Sequence, residues 1–330
     1  MLKVIEDQPV IKKFVRQFVK GFKPFIDEEI KVKLGHQGAS FPAKVLWSKK
    51  LGIWKFSRTI KDTRYWNAFG VGKPQESNLL SITAEINFPW AGINRKTGGA
   101  FARDYWGNIF VIHRGKIGGG KKGVGKSLFE HSYRGVWSFM EDRKAVTHVA
   151  IIGALNSPRF ALQAAQFVKK IEKLKSTATT STQTEINFSE ITFREDLVGS
   201  APYSVEDEII SACDRDLVIS ELAALLQHQK LKIGNDASHE LFVVVPSEYR
   251  ISHVFALVTD AQEKSVLATA AKLLLQTSAD AGNPLPILVL PEDKINKYEQ
   301  ELQRINISVT GFSWQGEKVV FPELEKIEFK

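Results

Sequence analysis

The chain has 330 residues, of which 43% are hydrophobic and 25% charged, and its size is typical of about two globular domains. No apolar run approaches the ~18 residues of a membrane-spanning helix, and the first residues lack a secretory signal, so we expect a cytoplasmic protein without membrane contact. The single Cys213 excludes an intramolecular disulfide and a cysteine-rich metal site.

Charge is divided unevenly along the chain. Residues 1–175 hold 32 Lys and Arg against 13 Asp and Glu, whereas residues 176–330 hold 13 against 24. A net charge of +19 in the first half, together with six of the seven tryptophans, indicates a nucleic-acid-binding domain. The sign changes at a segment of small hydroxyl residues, 176–184, which we interpret as a linker between domains 1–175 and 185–330.

The basic half begins with a predicted helix over residues 10–22, where apolar side chains recur at the 3.6-residue helical spacing. Its opposite, basic face fits a solvated surface better than a contact with DNA or a membrane. Short strands are then predicted over residues 44–47, 53–57, 65–71, 80–87, 100–103, 109–113 and 147–152, followed by a helix over 158–174. This order predicts an α+β domain rich in β-strands.

A glycine-rich loop, residues 113–127, follows the strand at 109–113. Residues 120–127 match the phosphate-binding pattern G-x-x-x-x-G-K-[ST], but no buried strand leads directly into them and no later strand ends in a magnesium-binding acid. We therefore interpret the loop as a phosphate clasp for nucleic acid, although an unliganded hairpin tip fits the same residues. Its cations are Arg114, Lys116, Lys121, Lys122 and Lys126.

Further cations alternate with aromatic residues elsewhere in this half and extend the predicted interface. They are Lys55, Arg58, Arg64, Arg95 and Lys96. Alternation along a strand places Trp54 and Phe56 on one face and Lys55 on the other, which makes many of the rings core residues. Any exposed ring would suit stacking on single-stranded or modified DNA.

The acidic half reads as an α/β domain. Helices are predicted over residues 205–229, 263–278 and 292–305, and strands over 240–245, 252–259, 286–290, 307–314 and 318–321. Apolar strands that alternate with helices indicate a sheet covered on both faces.

This element order, with Gly234-Asn-Asp-Ala-Ser-His-Glu-Leu241 before one strand, resembles the restriction-endonuclease-like superfamily, whose active members carry PD-(D/E)XK. The resemblance implies that Glu240 stands at the metal-binding acid that opens the second core strand. It also places Ala256 and Val258 where the next strand should carry an acid and a lysine. Neither can bind Mg²⁺ or activate water, so the resemblance implies a nuclease-like domain without catalysis.

We therefore expect a DNA-binding protein with an inactive nuclease-like domain and no cofactor. The resemblance suggests a bacterial defence, restriction or mobile-element system, and a homodimer or a subunit of a larger complex. One alternative is an active Mg²⁺-dependent endonuclease that uses Glu240 with the migrated residues Asp260 and Lys264. A third is a P-loop NTPase.

Overall fold

The computed structural model describes residues 1–36, 38–118, 124–143, 145–177, 191–200, 208–260, 262–279 and 282–329. These residues divide into two compact units, the first running to residue 177 and including 200 and 208–213, the second comprising 191–199 and 214–329. Both units combine helices with sheets, so the fold is mixed α/β. Of the predicted linker, only Ser176 and Thr177 are described, and they end a helix.

The first unit contains most of the strands. They are β1 (Leu2–Val4), β2 (Glu28–His36), β3 (Ala39–Ser48), β4 (Ile53–Ile60), β5 (Arg64–Val71), β6 (Leu79–Leu80), β7 (Ala84–Glu85), β8 (Phe88–Pro89), β9 (Gly99–Arg103), β10 (Ile109–His113), β11 (Val136–Asp142) and β12 (Ala145–Ala154). The helices are α1 (Gln8–Gly21), α2 (Lys126–Ser132) and α3 (Phe160–Thr177).

Helix α1 confirms the amphipathic pattern of the sequence. Asp7 caps it by accepting a hydrogen bond from Val10 N at 3.0 Å, and Pro9 suits the first turn because it needs no amide donor there. The buried Phe18 packs edge-on against Phe88 at 5.0 Å and Phe160 at 5.5 Å between ring centroids. These aromatic contacts join α1 to the sheet and to α3 in one core.

Strands β1, β11, β12, β10 and β9 form a closed barrel, in which only the β1–β11 pair is parallel. Alternate residues of these strands enter two different cores: Phe110 and Ile112 pack in one, Ile109 and Val111 in the other. Burial on both faces explains why β10 is apolar without alternation. Its bounds, Ile109–His113, are those predicted from the sequence.

The other sheet of this unit has the order β6-β2-β3-β4-β5-β7, and β8 also pairs with β5. The single strand predicted over residues 80–87 is wrong, because Leu80 pairs with β2 at one edge while Ala84 pairs with β5 at the other. Four residues span at most about 14 Å, so the two edges must approach each other. The sheet is therefore curled, and its inner face holds Trp47, Trp54 and Trp66.

The second unit is built on one six-stranded sheet. Its strands, in spatial order, are β13 (Lys232–Gly234), β14 (Leu241–Val245), β15 (Arg250–Leu257), β16 (Leu285–Pro291), β17 (Ser308–Gln315) and β18 (Lys318–Val320). The helices are α4 (Ile209–His228), whose first residues belong to the first unit, α5 (Glu263–Ala279) and α6 (Ile295–Arg304). Strands β15, β16 and β17 are parallel, and the other pairs are antiparallel.

Both faces of this sheet are covered, as the apolar strands predict. Helix α4 packs on the face that carries Leu241 and Val243, whereas α5 and α6 pack on the face that carries Phe242 and Val244. A residue shifted by one position would change from one core to the other, which fixes the register of β14.

Lys55 on β4 is a charged side chain buried beside Phe22, and its burial has a cost in stability. Its side chain is 2% exposed, its ammonium lies 4.6 Å from the Phe22 ring, and burial lowers its pKa to about 8. Because the unfolded pKa is 10.5, the buried charge costs ~3 kcal/mol of stability at pH 7. That cost disappears as the pH rises from 8 to 10.5, since only the folded protein then loses the proton.

We expect Lys55→Met to raise the free energy of unfolding at pH 7 by about 2–3 kcal/mol, and this gain to shrink at pH 9.5. Urea unfolding at both pH values measures it. Lys44→Met, on the neighbouring strand with a 62% exposed side chain, is the control and should change stability little. A variant at position 55 less stable than the wild type at pH 7 would contradict the prediction.

Candidate nucleic-acid interface

A cleft opens where the two edges of the curled sheet approach. Its volume is about 640 Å³, within the range of small-molecule sites. It is lined by the end of β2 with the turn that follows, the start of β5, the β6–β7 segment and Gly118 of the glycine-rich loop. Three of these lining residues have ionisable side chains: His36, Arg64 and Glu85.

The Glu85 carboxylate is held in a fixed orientation. Its Oε2 accepts a hydrogen bond from Asn87 Nδ2 at 2.5 Å, and its Oε1 lies 3.5 Å from His36 Nδ1. Asn87 is itself fixed, because its Oδ1 accepts from the backbone amide of Asn67 at 2.9 Å. The carboxylate remains 17% exposed, so it can accept a further hydrogen bond from a ligand.

Aromatic side chains support the other wall of the cleft. The His36 ring lies 4.6 Å from that of buried Trp66, and the Arg64 guanidinium lies 5.9 Å from the same indole. Arg64 Nε is buried without a hydrogen-bond partner in the structure. The Trp66 indole therefore packs against both side chains of this wall.

Two buried side chains hold the glycine-rich loop, one linking it to Glu85 and the other to α3. His113 Nδ1 accepts from Gly115 N at 3.0 Å, while the same ring donates to the backbone carbonyl of Glu85. Burial lowers the pKa of His113 to about 4, so the imidazole is neutral near pH 7. From α3, Lys175 Nζ donates to Gly118 O at 3.0 Å. The loop thus starts at the rim of the cleft.

The predicted cations have different environments. Arg58, Arg95, Lys96, Lys116 and Lys126 are exposed; Arg64 and Arg114 are partly buried; Lys121 and Lys122 lie outside the described residues. The expectation that Lys55 contacts DNA needs correction, because Phe22 and the core cover its ammonium.

Arg95 and Arg114 are brought together by an acid. Asp142, at the end of β11, is 1% exposed and accepts from Arg114 at 3.0 Å and from Arg95 Nε at 3.4 Å. Arg95 keeps 62% of its side chain exposed. Two guanidinium groups around one buried carboxylate leave a local positive excess at the surface.

Most tryptophans of the first half are core residues, but one aromatic pair is not. Tyr105 and Trp106, in the β9–β10 turn, are 93% and 80% exposed, beside exposed Arg103. Asn108 closes the turn through hydrogen bonds with the Asp104 side chain at 2.8 and 2.7 Å. The turn therefore presents two rings to solvent from a fixed backbone.

Residues 120–127 match the sequence pattern of a nucleotide-binding loop, but the strands and the helix around them differ from those that flank such a loop. Strand β10 belongs to an antiparallel part of the barrel, Val124 pairs with Ile117, and α2 has only seven residues. Ser127 is exposed, and Lys126 forms an ion pair with Glu130 at 3.4 Å. The phosphate-binding loop of an NTPase instead leaves a buried strand of a parallel sheet.

The residues that the nuclease resemblance singles out in the second unit are engaged in other contacts. Glu240 immediately precedes β14, and its carboxylate accepts hydrogen bonds from Arg215 of α4 and from Leu257 N of β15, the latter at 3.0 Å. Asp260 instead accepts from Ser265 Oγ at 2.7 Å before α5. Among the described residues, no group of three or more His, Cys, Asp or Glu is placed to hold a metal ion.

The remaining positions of the resemblance are apolar and packed. Ala256 and Val258 are 5% and 3% exposed and belong to the core beneath α5 and α6. Lys264 is exposed in the first turn of α5. The two positions where an active nuclease would carry an acid and a lysine are thus occupied by core residues that contribute to stability.

Comparisons of the chain with protein-family models, curated proteins and solved structures found no match. In the described part of the chain, no helix is both long and apolar enough to cross a membrane. The resemblance to nucleases therefore stays a prediction.

We expect Glu240→Gln to lower the free energy of unfolding by about 1–3 kcal/mol, because the ion pair between Glu240 and Arg215, whose side chain is 26% exposed, would be lost. Adding Mg²⁺ should leave the melting temperature of wild type and variant unchanged. Glu248→Gln, which removes a 53% exposed carboxylate paired with Arg250, is the control. A melting temperature that rises with Mg²⁺ in the wild type alone would instead identify Glu240 as a ligand.

Proposed function

We propose that the chain is a DNA-binding protein that uses its basic first half for binding, and that the second half is a nuclease-like domain without catalysis. The observation that carries this proposal is the excess of exposed cations in the first half, where Arg95, Lys96 and Lys116 are open to solvent within a region of net charge +19. Releasing the counterions of a polyanion would supply the binding free energy.

The second unit supports the nuclease-like part through its element order. A helix, three antiparallel strands and a parallel crossover follow one another, and Glu240 opens the second of these strands. Against catalysis, the Glu240 carboxylate is paired with Arg215, and the positions expected to carry the acid and the lysine, on and just after β15, hold Ala256 and Val258. Neither of these two side chains supplies an oxygen ligand for a catalytic Mg²⁺.

Neither alternative function gains support from a specific contact. An active endonuclease would need Asp260 and Lys264 beside Glu240, but Asp260 is engaged at the start of α5. A P-loop NTPase would need a parallel sheet around β10. Association with defence systems, self-association and assembly with other proteins remain predictions from the resemblance.

Single-stranded or distorted DNA is the form we propose that this surface prefers. Tyr105 and Trp106 expose two π-faces beside Arg103, and base stacking on such rings tolerates any sequence. Fully paired DNA offers these rings no free base.

Charge reversal at Arg95 and Lys96 tests the proposed contacts with DNA phosphates. Arg95→Glu/Lys96→Glu should weaken binding of a DNA duplex and lower the slope of log affinity against log salt by about 2, one for each lost phosphate contact. Fluorescence anisotropy at several salt concentrations measures both quantities. Lys12→Glu/Lys13→Glu makes the same charge change on the exposed face of α1 and is the control. Equal effects of the two double variants would remove Arg95 and Lys96 from the interface.

Removing the exposed rings tests the preference for unpaired bases. We expect Tyr105→Ala/Trp106→Ala to weaken binding of a single-stranded oligonucleotide by about 10-fold or more, because each base stack contributes ~1–3 kcal/mol, and to affect a duplex less. Titrations of both DNA forms give the comparison. Tyr249→Ala removes another ring, 72% exposed, from the acidic half and should have no effect. An equal loss for both DNA forms would contradict base stacking.

A further inference from the structure

The cleft between the edges of the curled sheet contains chemistry that phosphate binding does not use. A carboxylate, Glu85, lies beside the His36 ring, and a surface that only attracts phosphate would not place an acid there. The cations Lys116 and Arg58 are exposed on the first unit outside the residues that line the cleft. Phosphates are therefore expected at the surface, and an uncharged group inside.

We infer that this cleft binds an unpaired nucleobase that carries both an amino group and a carbonyl group, that is, cytosine or guanine. The inference rests on the proposed function, because it names what part of a DNA strand enters the first unit. It adds a site to a surface that would otherwise bind any sequence equally.

The size of the cleft fits this ligand. About 640 Å³ is more than one planar base needs, and it leaves room for the sugar at the mouth. Gly38 and Ala39 line the cleft and add little side-chain bulk to it. A base must leave its stack to reach such a site, and this is least costly where it is already unpaired.

The polar groups match the edges of these two bases. Glu85 can accept a hydrogen bond from an exocyclic amine, because its carboxylate is oriented by Asn87 and still partly exposed. Arg64 lines the cleft and can donate to a carbonyl through its terminal guanidinium nitrogens. Adenine lacks the carbonyl and thymine lacks the amine, so each would leave one of these groups unpaired.

The stacking surface is preorganised as well. The His36 ring lines the cleft and is supported from behind by Trp66, whose ring is 4.6 Å away. Trp66 in turn packs against Phe56 at 5.2 Å within the inner core of the curled sheet. A ring held in this way can stack on a base without losing further side-chain freedom.

The test uses the full-length protein and DNA duplexes with one bulged nucleotide, C, G, A or T, followed by fluorescence anisotropy at one salt concentration. The wild type should bind the C and G bulges about 10-fold more tightly than the T bulge. Glu85→Gln and Arg64→Gln should each reduce this ratio to within 2-fold while they retain the wild-type affinity for the T bulge within 3-fold. Far-ultraviolet circular dichroism confirms that the variants are folded.

Two matched variants control for the loss of charge. Glu76→Gln and Arg16→Gln make the same chemical changes at exposed positions of the first unit and should keep the preference for C and G. Equal wild-type affinity for all four bulges would overturn the inference while leaving salt-dependent duplex binding intact. Absence of binding to every DNA would overturn the proposed function itself.

Competition with free nucleotides distinguishes a base within a DNA strand from the same base in a small nucleotide. Cytidine and guanosine monophosphate should displace the bulged duplex only at concentrations at least 100-fold above that of an unlabelled competing duplex. Displacement at equal concentrations would mean that the cleft serves a small nucleotide and would overturn its assignment to a base within a strand.

Discussion

The hydrogen bonds of one buried imidazole hold the proposed binding face together. His113 ends β10 in the barrel, accepts from Gly115 at the start of the glycine-rich loop, and donates to the carbonyl of Glu85 in the wall of the cleft. A neutral ring offers one acceptor and one donor, and both are used, so its tautomer is fixed by its neighbours. Protonation would place a second donor opposite the Gly115 amide. Burial prevents this near pH 7 and thereby keeps barrel, loop and cleft in one arrangement.

The sequence was sufficient where the local pattern of apolar residues by itself records how an element is buried. Helix α1 follows from its 3.6-residue spacing, and β10 from its apolar run. Strand β2 was missed although Ile30, Val32 and Leu34 alternate with polar residues, a period-two signal that could have been used. The 80–87 segment could not be predicted, because its residues change partners from β2 to β5, and no local pattern records which sheet edge a residue pairs with.

The candidate site, too, depends on contacts between distant segments that no local sequence pattern records. The sequence drew attention to cations and missed Glu85 and His36, whose importance depends on the curl of the sheet that brings them to one cleft. The prediction that Lys55 contacts DNA failed for a related reason. Alternation correctly separated it from Trp54, but β4 is covered on both faces there, by the inner core on one side and Phe22 on the other. Period-two patterns identify opposite faces without telling which face meets solvent.

Charge and packing together explain why the two halves should have different tasks. In the proposed function, a balance of −11 over residues 176–330 would repel DNA, whereas the positive first half would attract it. A nuclease sheet has to expose acids and a lysine toward phosphate, which costs packing and creates local repulsion. With Ala256 and Val258 beneath the helices and Glu240 neutralised by Arg215, this sheet avoids both costs. In the proposed function, a domain without catalysis needs no DNA groove, and the net negative charge of this half is compatible with that role.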